Sequence, residues 1–184
     1  MIPASDHMER TIRTMAHAGF DLATPADIRV GREAAAALVG DAIATAPTMI
    51  RVQARSGCTV FVARSAEGEL VAAVSAIPLT AAAAPGLAAG RFDGLEPPDR
   101  QIARPRDTPV AFYVWGAAGL TWRGRRLALA ASLALQREAY PRLPLYARAA
   151  TDDGARVLQR RMGAHPMPGG LVTAPAWDRD RKAA

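Results

Sequence analysis

The stretch from Arg123 to Ala128, which reads Arg-Gly-Arg-Arg-Leu-Ala, combines residue types that suit the binding of phosphate. It lies between an apolar segment that predicts a strand and another that predicts a helix. The first N–H groups of a helix have no partner inside the helix, and the helix dipole favours anions at that end. Glycine lets the backbone approach a ligand, and arginine adds charge-assisted donors. The stretch predicts a phosphate or pyrophosphate site, and it fits a basic turn with a close-packing glycine equally well.

The positive charge of the chain is concentrated around this stretch. Residues 120–161 hold nine arginines against Glu138, Asp152 and Asp153, which equals the net charge of +6 carried by the whole chain. Such a local field suits phosphates or acidic ligands. A general preference for arginine over lysine accounts for the residue type, but less well for the clustering. A nucleic-acid-binding module is another interpretation, but few aromatic residues lie among the arginines and no known binding motif is present.

A second motif follows at 152–164, where the sequence reads Asp152-x-x-Ala155-x-x-Leu158-Gln159-Arg160-Arg161-Met162-Gly163-Ala164. Together the two motifs resemble those of GNAT-fold N-acyltransferases. The acyl-CoA loop of that family reads Arg-Gly-x-Gly-x-Gly/Ala, which Arg123, Gly124 and Ala128 match, while Arg126 replaces the middle glycine. The later family helix reads Asn-x-x-Ala-x-x-Leu-Tyr-x-Lys-Leu-Gly-Phe. The resemblance covers about residues 58–164.

This resemblance implies an α/β (α+β) domain with a mixed central sheet flanked by helices. It implies that acetyl-CoA or another acyl-CoA lies across the splayed ends of the third and fourth strands. The backbones of Ala118 and Leu120 would hold the pantetheine, and Asp152 would contact the cofactor arm where the family often has Asn. The pyrophosphate would be cradled by N–H groups of one loop: Arg123, Gly124, Arg125, Arg126, Leu127 and Ala128.

The function implied is acyl transfer from CoA to an amine or hydroxyl of an unidentified acceptor, either a small molecule or a protein amine. The alternative is a GNAT-fold protein that binds acyl-CoA but transfers the acyl group poorly. The family tyrosine that protonates the leaving thiolate is Gln159 here, which cannot act as an acid. The third strand has no carboxylate that could act as the general base. We therefore assign no catalytic residue. Catalysis by orientation of the two reactants alone stays an alternative. Whether the protein forms a homodimer also stays open.

Other residues of types that can do chemistry fit structural positions better. Glu67 and Glu69 are possible bases but resemble ordinary turn and edge residues, and Tyr113 and Tyr146 could face the cleft but favour packing. Cys58 is typical of a small core residue. We expect His165 on the surface, and Trp115 and Trp122 either in packing or in an acyl pocket.

The surrounding pattern predicts the elements that position these motifs. Helices are expected at 5–18 and 32–46, where Pro47 would stop the second, and an antiparallel hairpin at 58–63 and 70–77. Residues 78–109 predict a mobile lid that is not packed, although a helical turn fits 80–90. Further predictions are a strand at 110–118 buried on both faces, helices at 127–140 and 151–162, a strand at 145–150 and an edge strand at 171–175. Residues 1–177 would form one domain, with a frayed tail at 178–184.

Composition excludes several other classes of protein. One cysteine and three widely spaced histidines predict neither a disulfide framework nor a metal site. The first residues lack the apolar stretch of a secretion signal. Residues 70–90 carry no charge, but their prolines and alanines argue against a membrane span. The cytoplasm is the expected location.

Overall fold

The computed structural model describes residues 7–177, and the predicted frayed tail at 178–184 lies outside them. The helices are α1 His7–His17, α2 Pro25–Val39, α3 Ala46–Ser56, α4 Ala84–Ala88, α5 Trp122–Ala134 and α6 Asp152–Met162. A π-helical turn, Leu135–Ala139, continues α5. The strands are β1 Asp21–Leu22, β2 Val60–Arg64, β3 Leu70–Leu79, β4 Ala111–Gly119, β5 Leu145–Ala147, β6 His165–Pro166 and β7 Val172–Ala174.

The seven strands form one mixed sheet in the order β1-β2-β3-β4-β5-β7-β6. Neighbouring strands are antiparallel except for β4 and β5, which are parallel and joined by α5. The predicted hairpin is confirmed by β2 and β3, where Val60 is in register with Ser75. The predicted mixed central sheet flanked by helices is confirmed.

Helices cover both faces of this sheet because the strands bury apolar side chains in both directions. On one face, α1, α5 and α6 pack on a cluster that includes Val74 and Phe112, and the ring of Tyr140 stacks on Phe112 with centroids 4.9 Å apart. On the other face, Val52 of α3 and Leu87 of α4 pack with Ile77 of β3. This second face carries the cavity described below.

The helices on the second face begin and end at different residues from those predicted. Thr24 caps α2 in a reciprocal capping box with Asp27, so this helix starts at Pro25 and ends before Gly40. Pro47 lies in the first turn of α3 and does not stop a helix. Proline fits the first turn because the N–H that it lacks has no helical partner there. The predicted helix at 32–46 was therefore wrong in both bounds.

Residues 78–109 are a packed part of the fold, so the prediction of an unpacked lid is wrong. Leu79 ends β3, and Leu87, Phe92 and Ile102 are at most 2% exposed. The predicted helical turn is present as a 3-10 turn followed by α4. The apolar residues of this segment are scattered among prolines and glycines and show no helical or strand period. The sequence pattern therefore did not predict that they pack into a second core.

Three further expectations need correction. α5 begins at Trp122, five residues before the predicted start. Strand β4 is buried over 111–114 and again at Gly119, whereas Gly116 and Ala117 between them are exposed. β7 confirms a strand near 171–175, but β6 pairs with its outer side and is the edge strand.

Candidate functional site

Strands β4 and β5 separate after a short stretch of pairing. They pair over only three residues each, ending at Val114 and Ala147. Beyond that point β4 runs on to Gly119 beside β3, whereas the chain after Ala147 turns away to begin α6. Residues 116–118 and 148–150 line the two sides of the resulting gap.

A β-bulge at Trp115 lies where the two strands part. Ser75 is in register with Gly116 and Ala76 with Val114, so Trp115 is the extra residue on β4. A bulge bends the strand and increases its local twist. Trp115 is fixed by a hydrogen bond from its Nε1 to the carbonyl of Gly94. The bulge therefore places the second half of β4 apart from β5.

The backbone groups that face the gap differ from those predicted. The N–H of Leu120 donates to the carbonyl of Val71 on β3 at 2.9 Å. Hydrogen-bonded pairs alternate along an antiparallel ladder, so Ala118, in register with Ala73, also turns its backbone groups to β3. Ala117 and Gly119 turn theirs to the open side. The pantetheine contacts of Ala118 and Leu120 stay a prediction, but the backbone groups of both residues face β3 and not the gap.

The start of α5 adjoins the end of β4. Thr121 caps the helix by accepting from the N–H of Gly124 at 2.9 Å, and its carbonyl accepts from Arg125 at 2.9 Å. Trp122 and Arg123 are therefore the first-turn residues whose N–H groups have no acceptor inside the helix. The N–H groups of Arg126, Leu127 and Ala128 lie within α5. Pyrophosphate binding by this loop stays a prediction, and of its predicted N–H groups only that of Arg123 is without an acceptor in the helix or its cap. The side chains of all three arginines are exposed.

The glycines of this loop have a packing role. A Cβ atom added to Gly124 would lie 2.0 Å from the carbonyl oxygen of Val71, and one added to Gly119 would lie 2.1 Å from the amide nitrogen of Arg125. Both distances are far below van der Waals contact. These glycines therefore let the first turn of α5 rest directly on β3 and on the end of β4.

An exposed aromatic side chain lies in the same turn. Trp122 is 72% exposed, and the Arg126 guanidinium lies 5.0 Å from the centre of its ring. Together with Arg123 these groups form an exposed, positively charged face at the start of α5. Such a face suits phosphate oxygens and π systems.

Helix α6 begins at the same edge of the sheet as α5, because each follows one of two neighbouring parallel strands. Thr151 caps it by accepting from the N–H of Gly154 at 3.1 Å, and Gly163 ends it in the left-handed conformation, so the predicted helix is confirmed. Asp152 is exposed in the first turn. Gln159 is also exposed and is not among the residues that line the gap or its cavity.

The gap opens into a cavity of about 500 Å³ on the second face of the sheet. This size is typical of small-molecule sites. Its walls come from α2, the 42–44 loop, α3, strands β2 to β4 and the 92–95 loop. Tyr113 lines it, with its ring tilted against that of Phe92 at a centroid distance of 4.9 Å, and burial raises the pKa of its phenol. No local sequence pattern predicts this cavity, because its walls are far apart along the chain.

The other residues considered from the sequence lie elsewhere. Glu67 and Glu69 are exposed around the β2–β3 turn, and Tyr146 packs partly buried against the second core. Cys58 is fully buried, and burial raises the pKa of its thiol to about 12, so it is no nucleophile. His165 is exposed, as predicted. Among residues 7–177, no group of three or more potential metal ligands occurs, and no helix could cross a membrane.

Comparison with known proteins finds a similarity to a solved structure. No family model matches the chain, and no curated protein matches it. A solved structure from Corynebacterium glutamicum ATCC 13032, described as histone acetyltransferase HPA2 and related acetyltransferase, is similar in chain trace with a TM-score of 0.47. The two share 17% sequence identity, and the alignment covers 86% of this chain and 96% of that chain.

Proposed function

We propose that this protein is a GNAT-type acyltransferase that binds acyl-CoA in the gap between β4 and β5. The observation that carries the proposal is the separation of these two parallel strands after three paired residues, with α5 starting at the gap. The resemblance in the two sequence motifs implies the same arrangement. We place the reaction in the cytoplasm, as the sequence predicts.

The cofactor would follow the gap from the start of α5 to the cavity. The N–H groups of Trp122 and Arg123 would bind the pyrophosphate, assisted by the exposed arginine side chains of the same turn. The open backbone groups of Ala117 and Gly119 would bind the pantetheine amides, as an added strand binds a sheet edge. The thioester would then reach the cavity, where the acceptor binds.

In the reaction, an amine or hydroxyl of the acceptor attacks the thioester carbonyl. A C–N or C–O bond forms, the C–S bond breaks, the nucleophile loses a proton and the CoA thiolate gains one. Holding both reactants in one cavity supplies much of the rate by orientation. The phenol of Tyr113 is neutral at neutral pH, since a tyrosine pKa is ordinarily about 10 and burial raises it further, so it can donate a hydrogen bond there.

A CoA-binding protein with weak transfer activity is the second candidate. It is favoured by the exposure of Gln159, at the position where the resemblance implies a tyrosine acid, and by the absence of a carboxylate from β4. The two candidates share the binding site and differ in turnover.

Calorimetry with CoA and acetyl-CoA tests the binding site. Replacing both Arg123 and Arg125 with Ala removes two exposed charge contacts of about 0.7 kcal/mol each, which lowers affinity about tenfold or more. The pair Arg29→Ala and Arg106→Ala removes the same charge from exposed positions outside the gap and keeps the affinity. Equal loss in both pairs, or no CoA binding by the wild type, contradicts the proposal. Release of free thiol with a panel of acceptors separates the transferase from the weak binder.

A further inference from the structure

One charged side chain of the cavity has a buried donor that nothing satisfies. Arg32, on α2, lines the cavity, and its side chain is 22% exposed. Within residues 7–177, three buried side-chain polar atoms have no hydrogen-bond partner: Arg32 Nε and the amide oxygens of Gln101 and Gln136. Of these three, only Arg32 lies in the cavity wall. A buried donor without an acceptor is unfavourable, so a small movement of this side chain that brings Nε to an acceptor in the cavity would be favourable.

The present partner of Arg32 leaves the rest of its guanidinium available. Nη1 lies 3.1 Å from Oδ1 of Asp41, whose side chain is 88% exposed. Such an exposed pair binds weakly. A guanidinium presents several donors in a planar fork, and a carboxylate fits two of them side by side. Nε can therefore take part in a second carboxylate contact while Nη1 stays near Asp41.

The other charged groups in the cavity wall already have partners. Asp27 binds Arg64 and the backbone and hydroxyl of Thr24. Asp93 accepts hydrogen bonds from the N–H groups of Leu95 and Glu96 at 2.8 and 3.1 Å. Arg148 donates to backbone carbonyls of Gly90 and Gly169. Both carboxylate oxygens of Asp27 and Oδ1 of Asp93 thus accept hydrogen bonds within the protein, whereas Nε of Arg32 lacks an acceptor and makes Arg32 the anion-binding group of the wall.

The remaining wall is apolar and would hold the body of a ligand. Side chains of α2, the 42–44 loop, α3, β2 and β4 supply it: Ile28, Ala35, Ile43, Met49, Val62 and Trp115. Burial of apolar surface against such walls is favourable, and the few polar groups of a pocket fix the ligand's orientation. The apolar wall therefore favours a ligand with an apolar body, and Arg32 favours a ligand with a negative charge.

We infer that the cavity binds an organic acid with an apolar body, whose carboxylate pairs with the guanidinium of Arg32. Its role as the acyl acceptor, through an amine or hydroxyl on the same molecule, rests on the proposed function. The binding of the acid itself does not require CoA.

The test compares 3-phenylpropanoate with its neutral amide, 3-phenylpropanamide, by calorimetry on the full chain. The acid binds at least tenfold more tightly than the amide, and Arg32→Met abolishes this preference. Arg29→Met, three residues earlier on the exposed side of α2, is the matched control and keeps it. Asp41→Asn removes a competing carboxylate from an exposed site and strengthens acid binding about twofold. Equal affinity for acid and amide in the wild type and in Asp41→Asn overturns the inference, even if Arg32→Met does not fold.

A second experiment tests whether the carboxylate that pairs with Arg32 belongs to the acceptor or to the acyl group of the acyl-CoA. Glutaryl-CoA and butanoyl-CoA differ by a terminal carboxylate on the acyl chain. An Arg32-dependent preference for glutaryl-CoA, without binding of the free acid, assigns the charge to the acyl group and overturns the inference. CoA binding is measured on the same samples. If CoA binds and the acid does not, only this inference fails; if the acid binds and CoA does not, the proposed function and the acceptor role fail.

Discussion

Replacement of Gly124 by alanine tests how closely α5 lies on the sheet. The added Cβ would be 2.0 Å from the carbonyl oxygen of Val71, where about 3.4 Å is ordinary contact, so the helix must move by more than 1 Å. Overpacking of this kind costs about 1–3 kcal/mol. The higher helix propensity of alanine over glycine offsets up to about 1 kcal/mol of this cost. We expect a net loss near 1–2 kcal/mol, which for a chain of this size lowers Tm by about 2–8 °C.

The chain offers a matched control for this variant. Gly154 occupies the same third position of its helix, after the capping Thr151, but its added Cβ would meet only Thr151 Oγ1 at 3.3 Å. Gly154→Ala should therefore be neutral or slightly stabilising. Urea unfolding gives the free energies, and CoA calorimetry shows whether the displaced turn loses affinity. If the two variants are equally stable, α5 does not rest on β3 as described.

Three further changes have defined outcomes. Gln159→Tyr, at an exposed position that lines neither the gap nor its cavity, should leave stability within about 0.5 kcal/mol and CoA affinity unchanged; unfolding would show that the side chain is packed. Phe92→Ala should cost about 3–5 kcal/mol in urea unfolding because the 78–109 segment is packed; a mobile lid would lose almost nothing. Burial lowers the pKa of His7 below 6.5, so the unfolded chain takes up its proton first and stability should fall as pH drops below 6.5. His7→Gln should reduce that fall between pH 7.5 and 5.5.

Elements with strong local signals could be predicted from the sequence. The β2–β3 hairpin follows from two apolar runs around a polar turn with Gly68. Helix α6 follows from Thr151 at its start and Gly163 at its end. The order of β4, α5 and β5 was also correct, because a buried strand, a helix and another strand have distinct apolar patterns. These signals were enough to predict the sheet with helices on its faces.

The details of the site depend on contacts that no local pattern marks. The bulge at Trp115 changes which backbone groups face the gap, and a tryptophan in an apolar run gives no sign of it. Arg32 was placed in a helix, but the cavity beside it forms only when α2, β3 and the 92–95 loop meet. Its burial is a property of the tertiary structure, so the sequence showed one arginine among many.

The bulge at Trp115 also restricts how β4 can change in length. Residues paired across the ladder share a face of the sheet, so Val114 and Gly116, which pair with the consecutive residues Ala76 and Ser75, face opposite ways. Deletion of Trp115 would therefore give a regular ladder and keep Gly119 against the first turn of α5. Insertion of one residue between Gly116 and Gly119 would instead exchange the faces of the residues beyond it and place a larger side chain where Gly119 now meets Arg125. β4 should thus tolerate loss of the bulge residue better than the gain of a residue after it.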